Sequence, residues 1–258
     1  MRDLETVLIT GASAGLGAEL ARLFAADGSN LVLVARRLDR LDDLARDLQK
    51  RCEIGVRTVA MDLSRPGAAQ ELFHELERDE VRVDVLVNNA GFGARGAFVE
   101  LPVDRQIQLI QLNISALTHL TRLFLPGMLE RGKGGVLNIA STAAFQAGPG
   151  MSVYCASKAY VLHFTEGLAE ELRGRPVKVS CLAPGPTATE FAAKADLEGS
   201  RLFSFGVMDA PTVARAGHRG FREGRVIVIP GRKNRLLAFS VRFAPRSFVR
   251  AIARRLNA

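Results

Sequence analysis

Three cysteines in 258 residues leave little material for a disulfide framework. Cys52, Cys155 and Cys181 have neither paired nor metal-ligand spacing, which fits reduced structural thiols in a cytoplasm and predicts no metal site. No apolar run reaches the roughly 20 residues that span a bilayer. The opening MRDLETVLITG is charged and runs straight into a strand, so no secretory signal is expected. Linkers and low-complexity stretches are also missing. Acidic residues vanish from 231–258, where eight Lys/Arg remain; the preceding 230 residues hold 27 basic and 27 acidic groups. The net charge of +8 therefore belongs to the tail. A neutral body with one basic end and few aromatics near its arginines does not make a nucleic-acid groove, so no nucleic-acid partner is expected.

What is present is a core-forming chain, 48% apolar and long enough for one large domain. Short apolar runs (TVLIT at 6–10, NLVLVA at 30–35, VRTVAM at 56–61, VDVLVNNAG at 83–91, GVLNIA at 135–140, VKVSCL at 177–182 and 226–229) alternate with amphipathic segments. Near-continuous apolar strands in a β-α-β order predict a parallel sheet covered on both faces, with right-handed crossovers giving a doubly wound α/β fold.

The first strand flows into Gly11-Ala-Ser13-Ala-Gly15-Leu16-Gly17 and then a helix. Strand, glycine-rich turn and helix make the setting in which backbone approaches a pyrophosphate and helix N–H groups face it. The second strand ends at Ala35, followed by Arg36 and Arg37. A carboxylate there would bond the 2′-hydroxyl of NAD, whereas guanidinium groups suit the 2′-phosphate of NADP. NADP(H) is the expected cofactor; the competing reading makes these arginines the solvated start of the next helix. Asp62, followed by Leu63, fits two roles, accepting from an adenine amine or capping the next helix. Asn88 and Asn89 close the fourth strand, where they either brace neighbouring strands or border the cofactor, and small Ala90 and Gly91 leave room for an adenosine ribose.

Chemistry is expected in Ser141–Lys158 (STAAFQAGPGMSVYCASK). On a helix over 152–173, Tyr154 and Lys158 share one face with Cβ atoms about 5–6 Å apart. A nearby ammonium lowers a phenol's pKa from about 10, and Ser141 at a strand's carboxyl end offers a hydroxyl to a carbonyl or alcohol oxygen. These are parts for proton transfer in carbonyl–alcohol chemistry. Asn113, on a helix expected over 103–125, is either placed for a polar network or a satisfied core amide.

TGASAGLG at 10–17, NNAG at 88–91, Asn113, Ser141, YCASK at 154–158 and PGPTAT at 184–189 together resemble the short-chain dehydrogenase/reductase family. The likeness covers residues 6 to about 230. It implies a single-domain Rossmann-type fold and hydride transfer between NAD(P) and a carbonyl or alcohol. It implies Tyr154 as general acid in reduction and base in oxidation. Lys158 would lower its pKa and bond the nicotinamide ribose; Ser141 would polarise the carbonyl, and Asn113 would hold a relay water. The resemblance assigns Asp62 and Leu63 to adenine, and the Pro184, Gly185, Thr187 and Thr189 turn to the nicotinamide carboxamide. It also implies a homodimer or homotetramer through helices 103–125 and 152–173. Thr187 departs from the family pattern, where an apolar residue is more usual.

Two segments lie beyond these motifs. Within a lid region of 190–222, residues 190–210 are expected to form a mobile substrate lid and 211–222 a helix that helps finish the sheet; Phe191, Phe203 and Phe205 favour a hydrophobic ketone or aldehyde with a lipid-like chain. Residues 1–230 form the expected catalytic domain, and 231–258 a basic amphipathic tail. A helix from Pro245 sets Phe248, Ile252 and Leu256 opposite Arg246, Arg250 and Arg254. That tail either meets an anionic membrane surface or packs its apolar stripe on its own subunit or a partner. The sequence thus predicts a cytoplasmic NADPH-dependent carbonyl reductase, with peripheral membrane contact left open. The alternative is a non-catalytic NADP-binding regulatory or membrane-surface protein.

Overall fold

The computed structural model describes residues 4–190 and 206–257. Seven parallel strands form the central sheet: β1 (Thr6–Thr10), β2 (Asn30–Ala35), β3 (Val56–Ala60), β4 (Val85–Asn88), β5 (Gly135–Ile139), β6 (Lys178–Leu182) and β9 (Ile227–Val228). Their spatial order is β3-β2-β1-β4-β5-β6-β9. The order reverses between β1 and β4, the switch point outside which open α/β sheets bind ligands.

The two-residue period of β1 explains the double coverage. Val7 and Ile9 pack on one side with α1 (Gly15–Ala26), α2 (Leu38–Arg51) and α7 (Ala210–Arg222). Leu8 points the other way, towards α3 (Ala68–Arg78) and α5 (Leu117–Arg131). Its register partners Val32 and Leu86 join it there. Truncating Leu8, which is wholly buried, would cost about 2–5 kcal/mol. The remaining helix on that side, α6 (Ser152–Glu171), places Val161 and Leu162 against Ala140, Cys181 and Ala183.

Several boundaries differ from the sequence reading. The helix expected over 103–125 is three pieces: α4 (Val103–Ile110), a π-helical turn (Gln111–Ala116) and α5, which runs past Pro126 to a left-handed stop at Gly132. The helix expected over 211–222 is present as Ala210–Arg222 and buries Val213, Ala214 and Phe221 in the core. Asp209 starts it by accepting a 2.7 Å hydrogen bond from the Thr212 amide, with Pro211 in the first turn. The two-residue strands β7 (Thr187–Ala188) and β8 (Met208–Asp209) pair in parallel. Between them, 191–205, with Phe191, Phe203 and Phe205, lies outside the described residues. After the sheet come α8 (Arg232–Ser240), absent from the sequence reading, and α9 (Arg246–Asn257). No helix among the described residues is long and apolar enough to cross a membrane.

Candidate active site

The glycine loop, NNAG, Ser141 and the 184–189 turn sit just beyond the carboxyl ends of β1, β4, β5 and β6, while Asn113 and the Tyr154–Lys158 pair come from helical segments. After β1, Gly11 and Gly15 adopt φ of +68° and +56°, conformations that disfavour a side chain. Gly17 is fixed by space: a Cβ there would lie 2.4 Å from the Gly11 carbonyl oxygen. Leu16 packs into the core below. Ala14, the residue before α1, supplies no side-chain oxygen to the first turn, so its N–H groups remain for an anion. Asn89 braces the loop, its Nδ2 donating to the carbonyls of Thr10 (2.9 Å) and Gly11 (3.2 Å). Thr10 Oγ1 accepts in return from the amides of Asn89 and Ala90, both at 3.0 Å. Thr10, the first residue of the 10–17 motif, thus locks the glycine loop to the NNAG turn. Asn88 turns inward instead, bonding Thr121 and Asn138.

Just beyond β2, Arg37 donates to Ser13 Oγ at 3.3 Å and meets Glu190 at 3.0 Å. Arg40 pairs with the same carboxylate. Arg36 is exposed and lies 4.0 Å from Asp62. Asp62 Oδ1 accepts from the Ser64 amide (3.0 Å) and hydroxyl (2.7 Å), closing a local turn. Partial burial pushes its carboxyl up, but the Ser64 bonds and then Arg36 and Arg65 hold it below the usual value. Leu63 is buried beside it.

At the catalytic end, the Tyr154 phenol shares a hydrogen bond with Ser141. Ser141 Oγ also accepts from the Ala143 amide at 3.1 Å and lies 3.4 Å from the Pro184 carbonyl. Lys158 Nζ donates to the Ile139 carbonyl at 2.8 Å and stands 5.9 Å from the centre of the Tyr154 ring. The ammonium was expected to lower the phenol's pKa. Burial is the larger effect and raises it, with only the Ser141 bond opposing. Burial likewise pulls Lys158 down to about 8, while neighbouring Cys181 resists the fall. The thiols of Cys155 and Cys181 are pushed up, to about 11 and 12, chiefly by burial, which makes them poor nucleophiles.

Asn113 occupies the π-helical turn, a distortion frequent at functional sites. Its Nδ2 donates to Phe92 O and Ser157 Oγ, both at 3.0 Å, and its Oδ1 accepts from the Phe92 amide at 3.2 Å. A Cβ on Gly91 would fall 3.0 Å from Asn113 Oδ1 and 3.5 Å from Lys158 Nζ, so these three residues adjoin. Beneath the site runs a buried ladder that the motifs did not reveal. Asn88 Nδ2 donates to Thr121 Oγ1 (3.0 Å) and Asn138 Oδ1 (2.9 Å), and Asn138 Nδ2 donates to Thr165 Oγ1 (3.0 Å). It ties β4 and β5 to α5 and α6, the latter being the helix that carries Tyr154 and Lys158.

The closing turn completes the rim. Pro184 O accepts from the Thr142 amide at 2.8 Å. Thr187 Oγ1 donates to Gly185 O at 2.9 Å, so the unusual threonine is satisfied locally. Thr189 approaches the glycine loop, its methyl 3.1 Å from where a Gly15 Cβ would lie. Gly185 abuts Asn234 of α8, which would clash with any side chain at 185.

A doubly wound sheet with a glycine loop at its switch point and Ser141 beside buried Tyr154 and Lys158 defines a dinucleotide-dependent oxidoreductase. The family model described as short chain dehydrogenase matches residues 5–198. Sulfoacetaldehyde reductase 2 of Chromohalobacter salexigens is 39% identical over 189 residues, 72% of this chain and 74% of its own. A short-chain dehydrogenase from Sphingobium yanoikuyae, solved in complex with NADPH, shares 36% identity and superposes with a TM-score of 0.83 over 92% of each chain. A bulky-bulky ketone specific alcohol dehydrogenase from Comamonas testosteroni is 32% identical, with a TM-score of 0.79 over 93% of each. The chain belongs to the short chain dehydrogenase family and is an oxidoreductase acting on CH–OH groups.

Proposed function

We propose that this protein is an NADPH-dependent carbonyl reductase that acts on a hydrophobic ketone or aldehyde in a reversible reaction. The observation that carries the reading is the pair of buried side chains Tyr154 and Lys158, with the Lys158 ammonium 5.9 Å from the centre of the phenol ring and Ser141 beside the phenol oxygen. The cradle fits a dinucleotide: the positive-φ glycines and Gly17 leave backbone where a Cβ would intrude. Ser13 and Arg37 stand together at the end suited to a 2′-phosphate. The Sphingobium neighbour's NADPH supports that preference.

NADPH supplies the hydride when bound. Ser141 donates a hydrogen bond to the carbonyl oxygen and holds it beside the phenol. Tyr154, kept protonated by burial, delivers its proton to that oxygen as negative charge develops there. Lys158, adjoining Gly91, binds the nicotinamide ribose and stabilises the phenolate left behind. Asn113 fixes the Phe92 backbone and Ser157, and its neighbourhood with Lys158 suits a relay that returns the proton from solvent. In oxidation the same residues run in reverse, with Tyr154 as base. Thr187 and Thr189 would hold the carboxamide, and Asp62 with Leu63 would hold the adenine.

The apolar character of Phe191, Phe203 and Phe205 favours a hydrophobic substrate, and the Comamonas neighbour's bulky ketones support that choice. Exposed Val103, Ile107 and Tyr160 on α4 and α6 favour assembly into a dimer or tetramer through those helices. The test is NADPH consumption across ketones and aldehydes of graded chain length, with NADH in parallel. Rates that rise with chain length and favour NADPH support the reading. Tight NADPH binding without turnover across the panel counts against it and favours a non-catalytic NADP-binding role.

A further inference from the structure

We infer that the C-terminal segment, α8 to α9, docks the enzyme on an anionic lipid bilayer. Six large apolar side chains there face solvent: Leu236, Leu237, Phe239, Phe243, Phe248 and Ile252, with Phe243 75% exposed and Leu236 68%. Phe239 and Phe243 meet edge to face at 5.0 Å, so the end of α8 presents a joined aromatic pair. On the described residues of these helices, the buried positions are the small Ala238 and Ala253. Phe248 and Ile252 of α9 are 59% and 42% exposed, so the fold leaves much of this stripe uncovered.

The charge pattern selects the occupant. Every Lys, Arg, Asp or Glu in 231–258 is basic, eight in all, whereas the rest of the chain is balanced. A second copy seated on the same patch would set these cations against each other with no carboxylate between them. A bilayer with anionic headgroups satisfies both features: phenylalanine and leucine enter the acyl boundary while arginine stems reach back to the phosphates. Polybasic segments are drawn to such surfaces and released by salt.

The placement also bears on the site. Asn234 of α8 donates to Pro230 O at 2.9 Å and abuts Gly185, which anchors the patch beside the closing turn of the active-site rim. Docking would hold that rim close to the lipid. The inference does not depend on which carbonyl compound the enzyme reduces.

The experiment is co-sedimentation of the full chain with phosphatidylcholine vesicles, with or without phosphatidylglycerol, while light scattering records the protein's mass. Binding is expected only with phosphatidylglycerol, and to weaken about tenfold or more in about 0.5 M salt. The exposed pair Phe243→Ser/Phe248→Ser is expected to weaken it by about tenfold with mass and NADPH affinity unchanged. No binding by the wild type overturns the inference, as does binding indifferent to both salt and the double substitution. A smaller assembly in the double variant, with a wild type that ignores vesicles, assigns the patch to contact between copies instead.

Discussion

The Glu190 carboxylate lies 3.0 Å from the Arg37 guanidinium, which also reaches Ser13, so an internal anion occupies the fork suited to a 2′-phosphate. Arg37 and Glu190 are each about one-third exposed, so their pairing is weak, about 0–1 kcal/mol. A phosphate dianion can displace it, and Glu190 then becomes a nearby repulsive charge. Glu190→Gln is expected to tighten NADPH binding by about two- to fivefold while leaving NADH unchanged. Arg37→Ala should weaken NADPH about 10- to 100-fold, through loss of a charge-assisted bond. Fluorescence titration with both cofactors measures the two effects; equal changes for NADPH and NADH would remove Arg37 from phosphate recognition.

Lys158 couples function to a stability cost. Its ammonium is buried on one backbone acceptor, and its pKa falls from 10.5 to about 8, a penalty of about 3 kcal/mol. Between these values the unfolded chain holds more protons, so this group's contribution rises with pH through that window. Below about pH 8 the full penalty remains. Lys158→Met should therefore melt higher relative to wild type near pH 7 than near pH 10, where the lysine is neutral in the fold. Lost turnover should accompany the gain. Melting curves at the two pH values give the comparison, and a pH-independent difference would mean that desolvation of the ammonium is not the cause.

The buried Asn88–Asn138–Thr165 ladder sets the spacing between β4, β5 and α6. Asn138→Leu removes one of two partners from each neighbour: the Asn88 amide keeps Thr121 and the Thr165 hydroxyl keeps the Val161 carbonyl. The expected loss is about 2–3 kcal/mol, seen as a melting point lower by about 5–10 °C. Thermal unfolding followed by circular dichroism measures it; an unchanged midpoint would show that the ladder is not needed to hold these elements together.

The strands were legible because their β-branched and leucine-rich runs are short and bounded, and β1, β2 and β6 fall within a residue of expectation. The glycine loop and the Tyr154–Lys158 spacing were legible because each is local. Contacts distant in sequence were not. Asn138 reads as one polar residue in a strand, and its partner Thr165 lies on another element. Glu190 is far from Arg37 along the chain, with strands β3 to β6 between them in sequence. The rise in Tyr154's pKa was hidden because spacing reveals a neighbouring charge but not how little water surrounds it. Helix α8 escaped notice because its leucines and arginines surround it without an inward stripe; Ala238 is its buried residue.

The most direct test of the proton-donor assignment is single-turnover NADPH oxidation by Tyr154→Phe with a ketone that the wild type reduces. Removing the phenol oxygen should slow the chemical step by about 10²- to 10⁴-fold, with the NADPH dissociation constant nearly unchanged. A variant that binds NADPH and still turns over near the wild-type rate would contradict the assignment of Tyr154 as the proton donor.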